Sequence, residues 1–322
     1  MIKNFDELIQ AAKLQGVMRL AVAAAADEDV LKAVAEAKEI GLVEPILVGD
    51  QIKIIEIMKK LNITHELYEI IHEPVLIQAA RKAVELVSTG EAEFLMKGIL
   101  QTADMMRAVL DKEIGLRTEN LLSHVMVYEV PSYHKLLFLT DGGMNVAPDL
   151  NQKVQILENA ILACKALGMD RVNAACLAGA EVVNPKIQAT VDAKAIADMK
   201  DKWGAIGVSV IGPAALDLAI SKEACEHKGY HEVGAGDADI LLVPYYEVGN
   251  ALGKSLTYFA GSKSAGVIMG AKAPVVLVSR ADSSEAKLLS IALGSLISGQ
   301  NKPQKSSCGT GGGCGGCKCG GH

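Results

Sequence analysis

Short apolar runs alternate along the chain with longer stretches in which apolar residues recur every three or four positions. The runs are about five residues long and bounded by polar or turn residues, as buried parallel strands are. They predict strands at 19–24, 45–48, 67–71, 92–96, 125–130, 136–140, 172–177, 208–211, 240–243, 266–269 and 275–279. The helical period predicts helices at 27–40, 52–61, 74–87, 102–111, 150–167, 185–198, 214–222, 249–259 and 283–298. Asp27 stands before an apolar-periodic run, Pro74 and Pro185 stand at first helical turns, and Ser283 is followed by acidic Glu285, all signals of a helix start. Strands alternating with helices give an α/β class with mostly parallel sheets covered on both faces. Sites then lie at the carboxyl ends of the strands.

The chain has 322 residues, which at ~150 per domain predicts about two domains. Half of its residues are apolar, enough for a buried core. The formal charge is −6, and the last 22 residues hold three lysines and no acids, leaving −9 for the rest. So acidic a body is a poor generic binder of nucleic acid or anionic membrane. One Trp, four Phe and seven Tyr are too few for base-stacking recognition of single strands. A small polar ligand is the favoured partner. Only Cys164, Cys176 and Cys225 lie in the body, predicted as buried core residues of a protein in a reducing compartment. The acidic start lacks the apolar stretch of a signal peptide, and no uncharged run reaches spanning length, so a cytoplasmic location is expected. No Pro/Gly/Ser-rich linker divides the body. Residues 301–322 form a Gly- and Cys-rich tail expected to be flexible. Within it Cys308, Cys314, Cys317 and Cys319 have a spacing able to bite a soft metal; a disordered tail is the competing reading.

Candidate chemistry gathers near the end of the body. Gly249-Asn-Ala-Leu-Gly253-Lys254-Ser255 imitates a Walker A loop but is one residue short between its glycines. A helix start beside Lys254 and Ser255 is still a candidate anion site, as is the segment Gly261-Ser-Lys263-Ser264-Ala-Gly266. The run Pro274-Val-Val-Leu-Val leads into Ser279-Arg280. At a strand's carboxyl end a serine hydroxyl can donate to a developing oxyanion while a guanidinium holds phosphate. Alternatively, Ser279 caps the last helix and Arg280 pairs with Glu285. The seven histidines show no metal-ligand spacing, and a structural or surface role is the default for each. Met105, Met106, Met126, Met144 and Met269 are either plain core or the soft lining of an apolar pocket.

Taken together, Lys97-Gly-Ile-Leu-Gln-Thr102-Ala-Asp104-x-x-Arg107, Asp141-Gly-Gly-Met-Asn145-x-x-Pro148, Glu247-x-Gly-Asn250, Ala260-Gly-Ser-Lys-Ser-Ala-Gly266 and Pro274-x-x-x-x-Ser279-Arg280 resemble the phosphate acetyl/butyryltransferase family. The motifs stand in family order over roughly residues 1 to 300, and the wording is closest to the butyryl branch. The resemblance implies reversible transfer of a butyryl group between CoA and phosphate, or of acetyl as the alternative, with CoA and phosphate as substrates and no cofactor. It implies the two-domain fold of isocitrate-dehydrogenase-like enzymes. Domain I would be 1–119 and 267–300, with domain II, 120–266, inserted. A homodimer or larger homo-oligomer is also implied. By family position Ser279 donates to the oxyanion, and Arg280 and Arg107 hold phosphate. Thr102 and Asn145 line the same pocket, Asn250 stands on the facing wall, and Lys254, Lys263 and Ser264 contact phosphate or CoA. The acetyl branch's catalytic aspartate, seven residues after the serine, is replaced here by Ala286. Asp282 and Glu285 are the nearby carboxylates, and Glu285 is the preferred base. A decarboxylating dehydrogenase on the same architecture would need clustered aspartates, for which Asp237 and Asp239 are a poor set. A non-catalytic CoA-binding protein is the remaining rival.

Overall fold

All the predicted apolar runs enter one 11-stranded sheet. The structure is a computed structural model that describes residues 2–279 and 282–300. In chain order the first elements are α1 (Phe5–Gln15), β1 (Met18–Ala23), α2 (Glu28–Glu39), β2 (Val43–Gly49), α3 (Gln51–Lys60), β3 (Glu69–His72), α4 (Leu76–Ser88), β4 (Phe94–Lys97) and α5 (Thr102–Val109). There follow β5 (Ser123–Glu129), β6 (Leu137–Thr140), α6 (Leu150–Ala166), β7 (Val172–Leu177), α7 (Gln188–Ala197), α8 (Lys200–Gly204), β8 (Val208–Ala214), α9 (Leu216–Ile220), α10 (Lys222–Lys228), β9 (Ile240–Leu242) and α11 (Tyr246–Tyr258). The described chain closes with β10 (Lys263–Met269), β11 (Val275–Val276) and α12 (Ser284–Gln300).

The strand order is β3-β2-β1-β4-β11-β10-β5-β6-β9-β7-β8. The strands from β3 to β11 pair in parallel, and so do β6, β9, β7 and β8. Between these two wings β5 and β10 run antiparallel to each other and to their outer neighbours β6 and β11. The result is the expected mostly parallel α/β sheet with an antiparallel seam at its centre.

Register in the seam sets Ser264 opposite Tyr128, Gly266 opposite Met126 and Ile268 opposite His124. Successive side chains of a strand point to opposite faces. Val125, Val127, Ala265 and Val267 therefore face the other way, into a core that runs under both wings. That core is covered by α1, α2, α6 and α12 and includes Phe5, Leu31, Phe94, Phe138, Leu157 and Leu293. On the seam's first face the packing is split. One core holds Val84, Leu95 and Met105 beneath α4 and α5, the other Leu139, Leu218 and Leu241 on the far wing.

Helix α12 has no polar side, because it is buried on nearly every face from Lys287 to Ser298. Two of its buried polar side chains, Ser290 and Lys287, are spent on backbone groups near its start. The Ser290 hydroxyl accepts the N–H of Gly266 at 2.9 Å and donates to the carbonyl of Ala286, and Lys287 Nζ donates to the carbonyl of Asp282. Strand β11 stops at Val276, so the predicted strand 275–279 is cut short. Its last residues leave the ladder, and Ser290 takes up the Gly266 N–H at the point of departure.

Other differences are local. The predicted strand 67–71 shifts to Glu69–His72 behind a one-turn helix at His65–Leu67. Pro74 and Pro185 precede their helices by two or three residues instead of opening them. The predicted helix 214–222 is two short helices broken at Ser221, whose hydroxyl caps the second. The unpredicted α1 buries Phe5, Leu8 and Ala12 and is capped by Asn4. Two anion-loop readings are corrected. Gly249 to Ser255 lies within α11, and Lys263 to Gly266 lies within β10, so neither segment is the loop that its glycines imply. A turn's worth of backbone N–H groups at Lys254 is spent inside the helix.

Replacing Ser290 with alanine leaves the buried Gly266 N–H without its partner. A loss of about 1–3 kcal/mol of unfolding free energy is expected, read as a lower urea midpoint with an unchanged slope.

Candidate active site

The seam's first face is the floor of an open cleft of about 130 Å³. His124, Met126 and Tyr128 of β5, Ser264 of β10 and Leu139 of β6 line this floor. One wall is α11, through Asn250, Gly253, Lys254 and Thr257, and the other is Leu277, Val278, Ser279 and Asp282 beyond β11. The α11 wall stands close because two glycines meet. A Cβ on Gly142 would lie 2.6 Å from the Gly249 carbonyl carbon.

Of the residues singled out in the sequence, Ser279, Asn250, Lys254 and Ser264 line this cleft. Ser279 is exposed at the carboxyl end of β11, and its N–H donates to Asp282 at 2.7 Å. Asn250 donates to the Gly142 carbonyl at 3.3 Å, which pins its amide to the turn after β6. Thr102 opens α5, at the same end of the parallel wing as Ser279 because β4 and β11 are adjacent and parallel. Arg107 is exposed and paired with Asp104 at 2.6 Å. Neither Thr102 nor Arg107 is among the residues lining the cleft. Asn145 is outside it too, since its side chain donates to Asp141 at 2.6 Å and to the Leu122 carbonyl at 2.9 Å. Asp141 also accepts the N–H groups of Gly143, Met144 and His124. Asn145 is thus a strut of the turn after β6.

The preferred base is displaced. Glu285 is exposed and pairs with Lys263 at 2.9 Å outside the cleft, because β10 begins, at its one exposed residue, beside the first turn of α12. Asp282 is the carboxylate that lines the cleft. Arg280 lies outside the described residues, as do Cys308, Cys314, Cys317 and Cys319. Ser283, not Ser279, accepts the N–H of Ala286 in the first turn of α12. Asp237 and Asp239 are bound up with Lys135, at 3.2 and 2.7 Å, and His134 also pairs with Asp237 at 2.9 Å. Among the described residues no His/Cys/Asp/Glu group is arranged to hold a metal. Cys164, Cys176 and Cys225 are free and buried, and burial pushes the Cys176 thiol up to about 12. Of the five methionines only Met126 lines the cleft.

His124 also lines the cleft floor, which no motif in the sequence pointed to. Burial pushes its imidazole below its ordinary value, opposed by the Asp141 carboxylate, the Leu277 carbonyl and the Asp282 carboxylate. Burial raises the Tyr128 phenol well above its usual range, so it stays protonated beside Thr257.

The description phosphate acetyl/butaryl transferase applies to a family model that matches residues 68–295. The chain belongs to that family. It is 46% identical over 299 residues to a phosphate butyryltransferase from Clostridium acetobutylicum, covering 93% of this chain and 99% of the other. It is 40% identical over 292 residues to a phosphate acetyltransferase from Thermotoga maritima, covering 91% and 99% of the two chains. A crystal structure of a branched-chain phosphotransacylase from Enterococcus faecalis V583 superposes with a TM-score of 0.77 at 36% identity, covering 87% of this chain and 99% of that one. A Cβ at position 142 has no room against α11, so Gly142→Ala should push that helix off the cleft. Weaker CoA binding by calorimetry, together with a lower Tm, is the expected result.

Proposed function

We propose that this chain moves a short acyl group, butyryl ahead of acetyl, reversibly between CoA and inorganic phosphate. The supporting observation is the near-full-length match to a phosphate butyryltransferase, whose family motifs at Asn250, Ser264 and Ser279 meet here in one cleft. The acetyl reading is kept as the second because a phosphate acetyltransferase matches over a similar span.

The chemistry asks for three things. A thiol of pKa ~8.5 attacks as thiolate, so its proton needs an acceptor. The tetrahedral intermediate needs a donor for its oxyanion, and the departing phosphate needs cations. On this reading the Ser279 hydroxyl serves the oxyanion. Arg280, next in the chain, and Lys254 on the opposite wall serve phosphate or the CoA phosphates. Arg107 and Thr102 reach the same edge of the sheet from α5, where opening of the Arg107–Asp104 pair frees the guanidinium. Lys263, engaged with Glu285, stands back from the reaction. Domain I as 1–119 and 267–300, with an inserted domain II as 120–266, is part of this reading, supported by a parallel wing of β1 to β4 and β11 and another of β6 to β9. The 266/267 boundary falls inside β10, so the return to domain I is made within a strand. Action in the cytoplasm on small substrates, as a homodimer or larger homo-oligomer and without a cofactor, completes the reading.

Release of free CoA from butyryl-CoA and phosphate, compared with acetyl-CoA and phosphate, tests it. A higher kcat/KM for butyryl-CoA is expected, a preference for acetyl-CoA moves the chain to the second reading, and no release from either sinks the enzyme. Ser279→Ala should lower kcat by about 10²–10³, the usual cost of an oxyanion donor. Glu285→Gln should leave turnover within a few-fold of the parent, since its carboxylate is committed to Lys263.

A further inference from the structure

Met126 lines the cleft, and the acyl transfer proposed above gives it no part. It is half-buried on the cleft floor. Register places it abreast of Leu139 on β6 and of Gly266 on β10, so the three residues form one row across the seam. Gly266 leaves a gap in that row, and the methionine fills it. A Cβ at position 266 would lie 2.7 Å from Met126 Sδ and 3.0 Å from the Leu277 carbonyl oxygen. The thioether therefore rests on bare glycine backbone, beside the segment that runs on through Val278 to Ser279.

The apolar residues around it are held. Leu139 and Tyr128 are buried, and α11 comes down on both. A Cβ on Gly253 would lie 3.3 Å from Leu139 Cδ2 and 2.5 Å from the Tyr128 hydroxyl. Val278 is buried, and Leu277 packs against the core beneath α4 and α5. Among the described lining residues Met126 alone is an unbranched apolar side chain with three rotatable bonds, the kind that adapts to what it packs against. The polar lining is gathered on the walls, with Asn250, Lys254 and Thr257 on α11 and Ser279 and Asp282 beyond β11. An acyl carbonyl held at Ser279 leaves its alkyl chain the apolar floor and the Leu277–Val278 wall, where Met126 is the adjustable member.

Resting on that reading of the reaction, we propose that Met126 sets the length of acyl chain that the cleft accepts. With the sulfur over Gly266, the thioether closes the floor against the last carbons of a short chain. Each methylene buried against it favours binding. Rotation of the side chain lifts the sulfur from the glycine, and the space above Gly266 then takes further carbons. Gly266 is part of the device, because a Cβ there would occupy the place of the sulfur.

The test compares kcat/KM for acetyl-, butyryl- and hexanoyl-CoA with phosphate, read as released CoA, in the wild type, Met126→Ala and Met126→Phe. Removing the thioether should raise the hexanoyl-to-butyryl ratio by about tenfold or more. The larger, stiffer ring should lower the butyryl-to-acetyl ratio by about the same factor, the scale on which apolar pockets discriminate methylenes. A residue that only supports the floor would lower all three substrates together and leave both ratios in place. Failure of either ratio to move in its stated direction overturns the proposal. Should either variant not fold, Met126→Leu, of similar volume, replaces it. Its branched chain cannot swing off Gly266 in the same way, so hexanoyl-CoA should lose several-fold more than butyryl-CoA, and an unchanged ratio overturns the proposal equally. Wild-type protein that releases no CoA from any of the three refutes the parent reading. That outcome is distinct from an active wild type whose ratios the substitutions do not move.

Discussion

The seam between β5 and β10 is the constraint on which the rest depends. Parallel wings can be extended at their edges by crossover connections, but these two strands reverse direction and fix which side chains face the cleft. Their alternation puts Val125, Val127, Ala265 and Val267 into the continuous core and His124, Met126, Tyr128 and Ser264 on the opposite face. A slip of one residue in this register would bury the polar set and expose the valines. Site and core are therefore specified by the same hydrogen-bonded ladder. The Ser290–Gly266 bond secures the ladder where β11 abandons it.

The elements were largely legible because their signals are local. Apolar runs such as 172–177 need no partner to be recognised, and the period within 27–40 is complete in itself. Boundaries were lost where the deciding contact is remote. Nothing within 275–279 says that β11 ends at Val276, since a serine on α12 takes the backbone donor that a longer strand would have paired. The segment from Gly261 to Gly266 looked like a loop because serine, lysine and glycine are turn formers. In place, Ser264 and Gly266 are the cleft-facing positions of a strand.

The same distinction explains the site. Ser279, Asn250, Lys254 and Ser264 were found through ordered motifs, and they line one cleft. His124 was passed over because one histidine beside a strand has no spacing to read. Its place beside the cleft depends on Gly143, 19 residues further on, where a Cβ would lie 2.3 Å from its Nδ1. Glu285 was preferred to Asp282 because it stands one residue from the position of the missing aspartate. Its pairing with Lys263, away from the cleft, forms only after β10 meets α12.

The undivided core beneath the sheet has a consequence for how the molecule comes apart. Helix α12 packs with α1 and α2 from the first wing and with α6 from the second, and side chains of both wings share its apolar surroundings. The last described helix thus shares its packing with elements from both halves of the sheet. Excising 120–266 would strip cover from the same helix that holds the amino-terminal wing together. One shared core beneath the sheet couples the unfolding of the two wings, whatever division the cleft face suggests.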